Sequence, residues 1–352
     1  RAGAPTLLVQ GLDVDQFVPV CEALGVRREL YLGWRDFHAQ LRALVGPARR
    51  VAMEYSPGAA LPVNAVVDAG TVELVRSMGF EVVSSADLVQ GVVAVWSEAG
   101  LAAHRRASEK TGRIVRDAFA FIGSKLDSGV TEHDAARYIL ERFASENLET
   151  ADAPIVAVNE HSGNPHFEVS ATSPAKIRRG DWVMIDLWAR ERGASPAATE
   201  EHIYSDITWM GFAGDPTKAP PEHLRVWETV RGARDAAVRC ARDAFAQNRA
   251  VQGWELDEAA RAVIIAAGLE HGIKHRTGHS LSRGPRVHGL GVNIDNLETR
   301  DTRSLIPGIG FTIEPGVYLP AFGCRSEINV YIDPAQGPVV TSVQQDELVR
   351  IG

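Results

Sequence analysis

Two glutamates near the carboxyl end of the chain, Glu314 and Glu327, lie on neighbouring stretches that both show a strand pattern. Apolar residues flank the Pro-Gly turn signal after Glu314, and polar residues alternate with apolar ones from Arg325 onward. This predicts a β-hairpin with Arg325 and Glu327 on one face. Two carboxylates are costly to bury together unless cations neutralise their charge. The pattern leaves two interpretations open: a metal site, or an ordinary hairpin at the protein surface.

Two aspartates repeat this arrangement earlier in the chain. Asp186 interrupts the apolar stretch 182–187, and Asp206 lies between apolar neighbours in 203–209. An acid in such a run is rarely fully buried without a partner. Four acids joined by one imidazole form a hard, oxygen-rich ligand set suited to Mn, Co, Fe or Zn. That set is too large for one tetrahedral ion, whereas two metals bridged by carboxylates and a water would use all of it.

The histidine-rich segment 271–291 does not match two common catalytic motifs. His275 and His279 are four residues apart, but Gly278 and the absence of Glu at position 276 exclude the His-Glu-x-x-His zinc motif, so a loop or strand entry is expected there. The stretch from Gly278 to Ser282 lacks the closing glycine of a hydrolase nucleophile elbow. No Gly-x-Gly-x-x-Gly follows a predicted strand of residues 1–96, which argues against a dinucleotide site there.

Composition narrows the class of protein. At 352 residues the chain is long enough for two domains, and its net charge of −8 gives no reason to expect a nucleic-acid partner or an anionic membrane surface. No apolar run approaches the ~20 residues needed to cross a bilayer. Three widely separated cysteines indicate neither a disulfide framework nor a thiolate metal site. A soluble, cytoplasmic protein is predicted, although the start at Arg1 without Met leaves a removed leader open.

Two regions of different texture follow one another. Residues 1–96 alternate short apolar runs with helical segments, which predicts a small α/β domain. Residues 97–352 begin with a long helical pattern, after which Thr131 and Asp134 have the spacing of a capping box. Within this second region the acids occur as two strand pairs separated by helical patterns. That order suggests two halves that face one another.

Five short motifs in a fixed order resemble the ligand motifs of the M24 metallopeptidases. This is the pita-bread family that includes methionine aminopeptidase, aminopeptidase P and prolidase. The resemblance covers residues 100–352, and five ordered motifs are far more specific than any single one. The motifs are Ile185-Asp186-Leu187, Ser205-Asp206-Ile207-Thr208, Thr277-Gly278-His279-Ser280, Phe311-Thr312-Ile313-Glu314-Pro315-Gly316 and Arg325-Ser326-Glu327.

The resemblance implies an α/β (α+β) fold in which residues 97–352 form the pita-bread catalytic domain. Residues 1–96 would be a short creatinase-like amino-terminal domain, and the assembly would be a homodimer. His166, His275 and His288 match the catalytic and substrate-facing histidines of the aminopeptidase P and prolidase branch. The expected substrate is therefore an Xaa-Pro peptide, either a dipeptide or a longer chain.

The resemblance also implies which residues hold the metals. Asp186, Asp206, His279, Glu314 and Glu327 would bind two divalent ions, Mn first, with Co, Zn or Fe as alternatives. A hydroxide held between such ions forms near neutral pH and would attack the scissile amide. Glu314 would carry its proton to the leaving nitrogen, so that one residue acts as ligand and as proton carrier.

Other side chains are expected to contact the substrate. His288 and His166 would donate hydrogen bonds to the oxyanion, where one preorganised donor is worth ~3 kcal/mol. Arg303 matches the position of a cation that clamps a substrate carboxylate, with a solvated loop arginine as the alternative. Arg325 is the second cation expected at the substrate site, where it would brace the carboxylate ligands.

Alternatives and departures from the family pattern stay open at this point. The same fold could act on a non-peptide substrate, as an amide hydrolase or a metal-dependent lyase, or serve as a non-catalytic binding module. The segment 190–202 between the two aspartates is long, and His279 and His288 are nine residues apart. Gly289 replaces the acid that usually follows the second of these histidines. The polar run 291–299 has no role that the sequence explains.

Overall fold

The computed structural model describes residues 5–352. They form two compact units: a smaller one that runs through Ala59 and resumes at Val63–Ser85, and a larger one formed by Ala60–Pro62 and Ala86–Gly352. The sequence texture suggested a division at residue 96. The structure instead includes the helix Ala86–Val93 in the larger unit.

The smaller unit is an α/β structure built on short parallel strand pairs. β1 (Thr6–Gln10) pairs with β2 (Arg27–Tyr31), and β3 (Arg50–Met53) pairs with β4 (Glu81–Ser84). Parallel neighbours require a crossover connection, which helices usually supply. Here the helices are α1 (Val14–Leu24), α2 (Trp34–Val45) and α3 (Ala69–Ser77). The α/β character predicted for this region is confirmed.

Two helices of the larger unit begin at the cap residues that the sequence indicates. The Ser97 side chain accepts the Gly100 N–H at the start of the long helix, and Thr131 and Asp134 form the predicted capping box. Such caps satisfy backbone donors that the first turn leaves free. The helices are α4 (Ala86–Val93), α5 (Glu98–Lys125), α6 (Glu132–Ser145), α7 (Pro196–Glu200), α8 (Pro221–Ala246) and α9 (Gly253–Ala266).

The strands of the larger unit form two main sheets. The first has the order β17-β10-β9-β6 with β7 also pairing to β9, and the second has the order β11-β12-β15-β16. Shorter pairs join β5 to β8 and β13 to β14. The strands are β5 (Val130–Thr131), β6 (Leu148–Glu149), β7 (Ile155–Val158), β8 (Lys176–Ile177), β9 (Trp182–Glu191), β10 (Ser205–Phe212), β11 (Ser280–Leu281), β12 (Gly310–Ile313), β13 (Gly316–Tyr318), β14 (Gly323–Arg325), β15 (Ile328–Asp333), β16 (Gly337–Val340) and β17 (Val349–Arg350).

Alternation along β9 and β10 assigns their side chains to two faces. Ile185, Leu187 and Ile207 pack in one buried cluster with residues of α5 and α6, whereas Met184 and Met210 pack in another with residues of α8 and α9. Residues two apart on a strand share a face. The aspartates at 186 and 206 therefore lie on the face that also carries Met184 and Met210, away from α5.

Side-chain amides complete one edge of β10. The Asn329 amide accepts the Asp206 N–H (3.0 Å) and donates to the Asp206 carbonyl (2.5 Å). The Gln345 amide does the same at Met210, at 2.8 and 2.6 Å. Buried backbone groups must be paired, and here two amides act as the missing strand. Asn329 also lies on β15, so it links the two main sheets beside Asp206.

Among residues 5–352 no helix combines the length and apolar character that a membrane span requires. The segment 190–202 holds the end of β9 and the short helix α7.

Replacing Gln345 by Met is expected to destabilise the larger unit by about 3 kcal/mol, because the Met210 N–H and carbonyl lose their buried partners. Gln344→Met is the matched control: among residues 5–352 the Gln344 amide bonds the exposed Asp346 side chain alone, so its loss should cost less than ~0.5 kcal/mol. Urea unfolding followed by tryptophan fluorescence measures both, since Trp34 is the only one of the seven tryptophans in the smaller unit. Equal unfolding curves for the two variants would contradict this account of β10.

Candidate metal centre

Glu314 and Glu327 lie at a break between two short ladders rather than inside one hairpin. The β12–β15 ladder ends at the pair Ile313 and Ile328, and the β13–β14 ladder begins at the pair Gly316 and Arg325. Pro315 has no N–H with which to continue the ladder. The predicted single hairpin is thus two ladders, and both glutamates occupy the interruption.

The two aspartates reach the same place from β9 and β10. Asp186 is opposite Thr208, and Asp206 precedes Thr208 by two residues, so all three side chains share one face. The Thr208 hydroxyl donates to Glu327 Oε2 (2.8 Å) and accepts from Arg325 Nε (2.9 Å). This one buried hydroxyl therefore connects the aspartate strands to the glutamate segment.

His279 is held by the backbone and side chain of Thr312. The Thr312 hydroxyl accepts the His279 N–H (2.9 Å) and lies 3.1 Å from Glu314 Oε1, to which it donates. A side chain at Gly278 would collide with the Thr312 carbonyl, since a Cβ there would lie 2.1 Å from that oxygen. Glycine is therefore required where the two segments approach. His279 enters a strand rather than a helix, as predicted.

Free acceptor atoms converge at this point. One ligand atom from each of Asp206, His279 and Glu327 lies within 4.8 Å of the others, and all three residues are buried. His279 Nδ1 lies 3.1 Å from the Ser280 carbonyl and donates to it, which leaves Nε2 as an acceptor 3.4 Å from both Asp206 Oδ2 and Glu314 Oε1. Asp186 Oδ1 is buried without a hydrogen-bond partner among residues 5–352. Carboxylate oxygens and a neutral imidazole nitrogen with free lone pairs fit a divalent metal.

Burial of these carboxylates changes their acidity. Burial raises the pKa of Asp186 to about 7, although Arg325 opposes the rise. Burial likewise raises the pKa of Asp206 against the attraction of His279. It also raises the pKa of Glu327 well above its usual range, reinforced by the neighbouring negative charges. Several like charges in one dry site favour the protonated forms unless a cation is present.

Glu314 differs from the other three acids. Burial would raise its pKa, but His279, His275 and Arg325 outweigh that effect and lower it. Its side chain is 14% exposed, against 7% for Asp206 and 9% for Asp186. Burial would lower the pKa of His279, yet the Asp206 and Glu314 carboxylates raise it. Glu314 is therefore the acid that ionises most readily and is the most open to a ligand.

Arg325 and His275 are joined through Tyr318. Arg325 donates to Asp186 Oδ2 and to the Tyr318 hydroxyl (3.0 Å). The Tyr318 hydroxyl and His275 Nε2 are 2.7 Å apart, and His275 Nδ1 donates to the Arg276 carbonyl (2.6 Å). Burial raises the pKa of the Tyr318 phenol, which keeps it protonated as the donor to His275. Arg325 thus contacts a predicted ligand directly, and His275 lies one hydrogen bond further out.

His288 and His166 are the exposed histidines among the predicted site residues. The His288 ring is 3.9 Å from the His279 ring, and its pKa is lowered first by the neighbouring His279. The His288 side chain is exposed, and the nearby His279 is the main cause of its lowered pKa. His166 is also exposed and lies close enough to influence His288 electrostatically.

Arg303 occupies a different environment from the other predicted site residues. Its guanidinium donates to both Asp301 carboxylate oxygens, at 3.0 and 2.6 Å, and to the Leu290 carbonyl at 2.8 Å. The side chain is 2% exposed. Each of its three guanidinium nitrogens donates to a partner inside the fold, which disfavours a role as the clamp of a substrate carboxylate. The alternative of a solvated loop arginine does not describe it either.

The polar run 291–299, for which the sequence indicates no role, supports the segment that carries His279. Asp295 accepts the backbone N–H groups of Leu297, Glu298 and Thr299, which folds the run on itself. Buried Asp257 on α9 accepts the N–H groups of Thr277 (3.0 Å) and Asn296 (2.8 Å). The run is therefore tied through one helix to the segment that carries His279.

The sequence motifs include Thr208 and Thr312, but sequence reasoning assigned no role to them or to Tyr318. Each threonine is two residues from an acid, since Thr208 follows Asp206 on β10 and Thr312 precedes Glu314 at the end of β12. The period of two would have placed both hydroxyls on the acid-bearing face. No local signal distinguishes Tyr318 from a packed core tyrosine, because its partners Arg325 and His275 come from other segments.

Two sheets bring four carboxylates and a histidine into one site whose atoms could hold a metal ion, and comparison with known proteins supplies the family. Residues 102–334 match the model of metallopeptidase family M24. A probable dipeptidase PepE of Mycobacterium bovis is 26% identical, over 99% of this chain and 84% of that protein. An Xaa-Pro dipeptidase of Pyrococcus furiosus is 29% identical over 68% of this chain and 62% of that protein.

Solved structures agree on the fold. The dipeptidase PepE of Mycobacterium ulcerans superposes with a TM-score of 0.65 at 24% identity, covering 99% of this chain and 84% of that one. The prolidase of Pyrococcus horikoshii gives a TM-score of 0.60 at 23% identity, covering 98% and 86%. The chain belongs to metallopeptidase family M24. The predicted family and pita-bread fold are therefore confirmed, and the protein is an enzyme of a metal-dependent family.

Mn²⁺ is expected to stabilise the protein more at about pH 8 than at about pH 6, because metal binding requires deprotonated ligands and the raised pKa of Asp186 lets protons compete below neutrality. Thermal unfolding with and without Mn²⁺ measures the effect. His279→Ala should weaken metal binding more than the roughly tenfold typical of losing an outer-shell partner. His271→Ala, an exposed histidine, is the control. Equal Mn²⁺ stabilisation at both pH values would contradict the carboxylate site.

Proposed function

We propose that this chain is an Xaa-Pro peptidase, acting on dipeptides or on the amino ends of longer peptides. The observation that carries the proposal is the convergence of Asp186, Asp206, His279, Glu314 and Glu327 in one buried site of an M24 fold. Relatives named Xaa-Pro dipeptidase, at 28% and 29% identity, support the substrate class. The support for that class comes from these relatives, since the buried acids alone do not define a substrate.

In this proposal those five residues hold two divalent cations, with Mn favoured and Co, Zn or Fe as alternatives. When bound, the cations would supply Lewis-acid polarisation of the scissile carbonyl and activation of a water molecule. The free Asp186 Oδ1 and the acceptor nitrogen of His279 fit that task. Thr208 and Arg325 hold the Glu327 and Asp186 carboxylates in place.

Glu314 carries the proton in the proposed reaction. Its Oε1 accepts the Thr312 hydroxyl, whereas Oε2 has only the more distant Arg325 Nε at 4.0 Å. We therefore assign Oε2 as the atom that takes a proton from the attacking water and passes it to the leaving nitrogen. The lowered pKa of Glu314 keeps this carboxylate ionised and able to accept.

The histidines have separate roles in the proposal. His288, whose pKa is lowered, is a neutral imidazole that donates its N–H to the carbonyl oxygen as negative charge develops there. His166 is exposed and contacts the substrate. His275 positions Arg325 through Tyr318. Arg303 is left out of the substrate site because its donors are paired with Asp301 and Leu290.

The smaller unit and the assembly complete the proposal. We assign the smaller unit as a creatinase-like amino-terminal domain of a homodimer. Leu12, Leu32 and Trp34 expose 87%, 81% and 62% of their surface at the carboxyl ends of β1 and β2, an amount of apolar surface suited to association. A cytoplasmic location is also proposed, since Cys21, Cys240 and Cys324 are all unpaired.

The Mn²⁺-loaded protein is expected to hydrolyse Ala-Pro, or longer peptides that begin with Ala-Pro, and to hydrolyse Ala-Ala much more slowly. Glu314→Gln should lower kcat by about a thousandfold or more, in keeping with the loss of proton transfer and of one ligand charge. Glu109→Gln, which alters an exposed acid on α5, is the control with unchanged kcat. Mass-spectrometric detection of the free amino-terminal residue measures the rates. Absence of turnover on every Xaa-Pro peptide with metal bound refutes the proposed substrate class.

A dimer is the expected species in sedimentation velocity, because association would cover the apolar side chains at the end of β1 and β2. Changing Leu32 and Trp34 together to Ser should shift the protein toward monomer, because burying each large apolar side chain at the interface would stabilise the dimer by about 1.5–3 kcal/mol. Leu140→Ser, an exposed leucine of the larger unit, is the matched control. A wild-type monomer at micromolar concentration contradicts the assembly proposed here.

A further inference from the structure

We propose that Arg190 is a positioning residue for His288, acting through the loop 282–287; the inference rests on the role assigned to His288 in the proposed function. Arg190 lies on β9 four residues beyond Asp186 and shares its face. It reaches the loop from the strand that carries a predicted metal ligand. The two segments that depart from the family pattern, 190–202 and 280–288, thereby contact each other beside the site.

The Arg190 guanidinium is buried and uses all its nitrogens. Nη1 donates to the Gly284 carbonyl at 2.6 Å, while Nε and Nη2 donate to Glu149 Oε1 at 3.0 and 2.9 Å. The guanidinium carbon lies 5.0 Å from the centre of the Tyr204 ring. Because Glu149 and Tyr204 fix the plane of the guanidinium, the direction of the bond to Gly284 is fixed as well.

The next peptide groups of the loop are held from the same side. The Gly284 N–H donates to the Glu200 carbonyl of α7 at 2.9 Å, and the Tyr204 hydroxyl donates to the Pro285 carbonyl at 3.3 Å. Gly284 has φ +127°, a conformation that residues with side chains rarely adopt. The tip of the loop therefore depends on segment 190–204 for its backbone partners.

The base of the loop transmits this placement to His288. Leu281 and His288 form an isolated antiparallel bridge, and the Gly289 N–H donates to the Ser280 carbonyl at 2.7 Å. Ser280 follows His279, whose ring is 3.9 Å from the His288 ring. With its base tied to the His279 strand and its tip tied to Arg190, the loop has one arrangement that presents the His288 ring to the site.

Arg192 provides a matched comparison for Arg190. It lies two residues further on, and its Nε is 3.7 Å from the other oxygen of Glu149. Its side chain is 55% exposed, against 6% for Arg190, and the pair it forms does not involve the loop. Replacing either arginine by Met removes one charge from the same carboxylate, but only Arg190→Met removes the bond to Gly284.

The decisive experiment compares Arg190→Met with Arg192→Met in the Mn²⁺-loaded full chain. We expect Arg190→Met to lower kcat by about tenfold or more with KM within about twofold, because a donor displaced by ~1 Å loses transition-state contact without losing substrate binding. Arg192→Met should keep kcat. Hydrogen–deuterium exchange of peptides covering 282–289 should become faster in Arg190→Met alone. Both variants should show a single cooperative thermal unfolding transition, which establishes that they are folded.

A double-mutant cycle separates positioning from a general structural role. In a His288→Ala background the added Arg190→Met change should have no further effect on kcat, because the side chain through which it acts is gone. The same fractional loss of kcat in both backgrounds, or unchanged exchange of the loop in Arg190→Met, overturns the inference. If wild-type protein cleaves no Xaa-Pro peptide, the proposed function fails on that ground, and the exchange comparison alone decides whether Arg190 holds the loop.

Discussion

The burial of several carboxylates between two sheets is the constraint on which the rest of the larger unit depends. Like charges withdrawn from water repel one another strongly, so the fold needs a cation, protons or hydrogen-bond donors at that place. Arg325 donates to Asp186 and the Thr208 hydroxyl donates to Glu327, whereas Asp186 Oδ1 has no donor among residues 5–352. This incomplete satisfaction distinguishes the predicted ligand site from the ion pair of Arg303 and Asp301, in which both carboxylate oxygens accept hydrogen bonds.

The sheets also face a problem of backbone pairing at the same place. From Ser205 to Met210, the edge of β10 opposite β9 has no regular strand neighbour among residues 5–352. On β10 the amides of Asn329 and Gln345 replace that neighbour at Asp206 and Met210, and the Glu327 N–H donates to the Thr208 carbonyl. The ladder break at Glu314 and Glu327 has the same result on the opposite side. Polar side chains thus satisfy the backbone where regular pairing stops.

How much of this the sequence predicts depends on the range of the interaction. Asp186 and Asp206 could be found because each interrupts an apolar strand, which is a local anomaly. The helix that starts at Thr131 could be found from its capping residues. Arg303 and Arg325 look alike in the sequence, and only the structure shows that one pairs with Asp301 and the other with Asp186. The partners of Tyr318 and of segment 190–202 lie on other elements and follow no local pattern, so the sequence does not indicate these contacts.

The predicted metal ligands lie on rigid strands or beside them, whereas the proposed oxyanion donor His288 lies on a loop. Asp186 and Asp206 are on long strands, and the His279 backbone is bonded to Thr312 through both its N–H and its carbonyl. The predicted metal-binding atoms therefore have little freedom. His288 is instead at the end of a loop, where it is exposed and can approach a substrate. A loop without further contacts would not hold the His288 N–H in one position. A hydrogen-bond donor stabilises developing charge best when it is already oriented toward the oxygen. The buried Arg190 bond to the Gly284 carbonyl resolves the conflict, because it fixes the loop from the same strand that fixes Asp186.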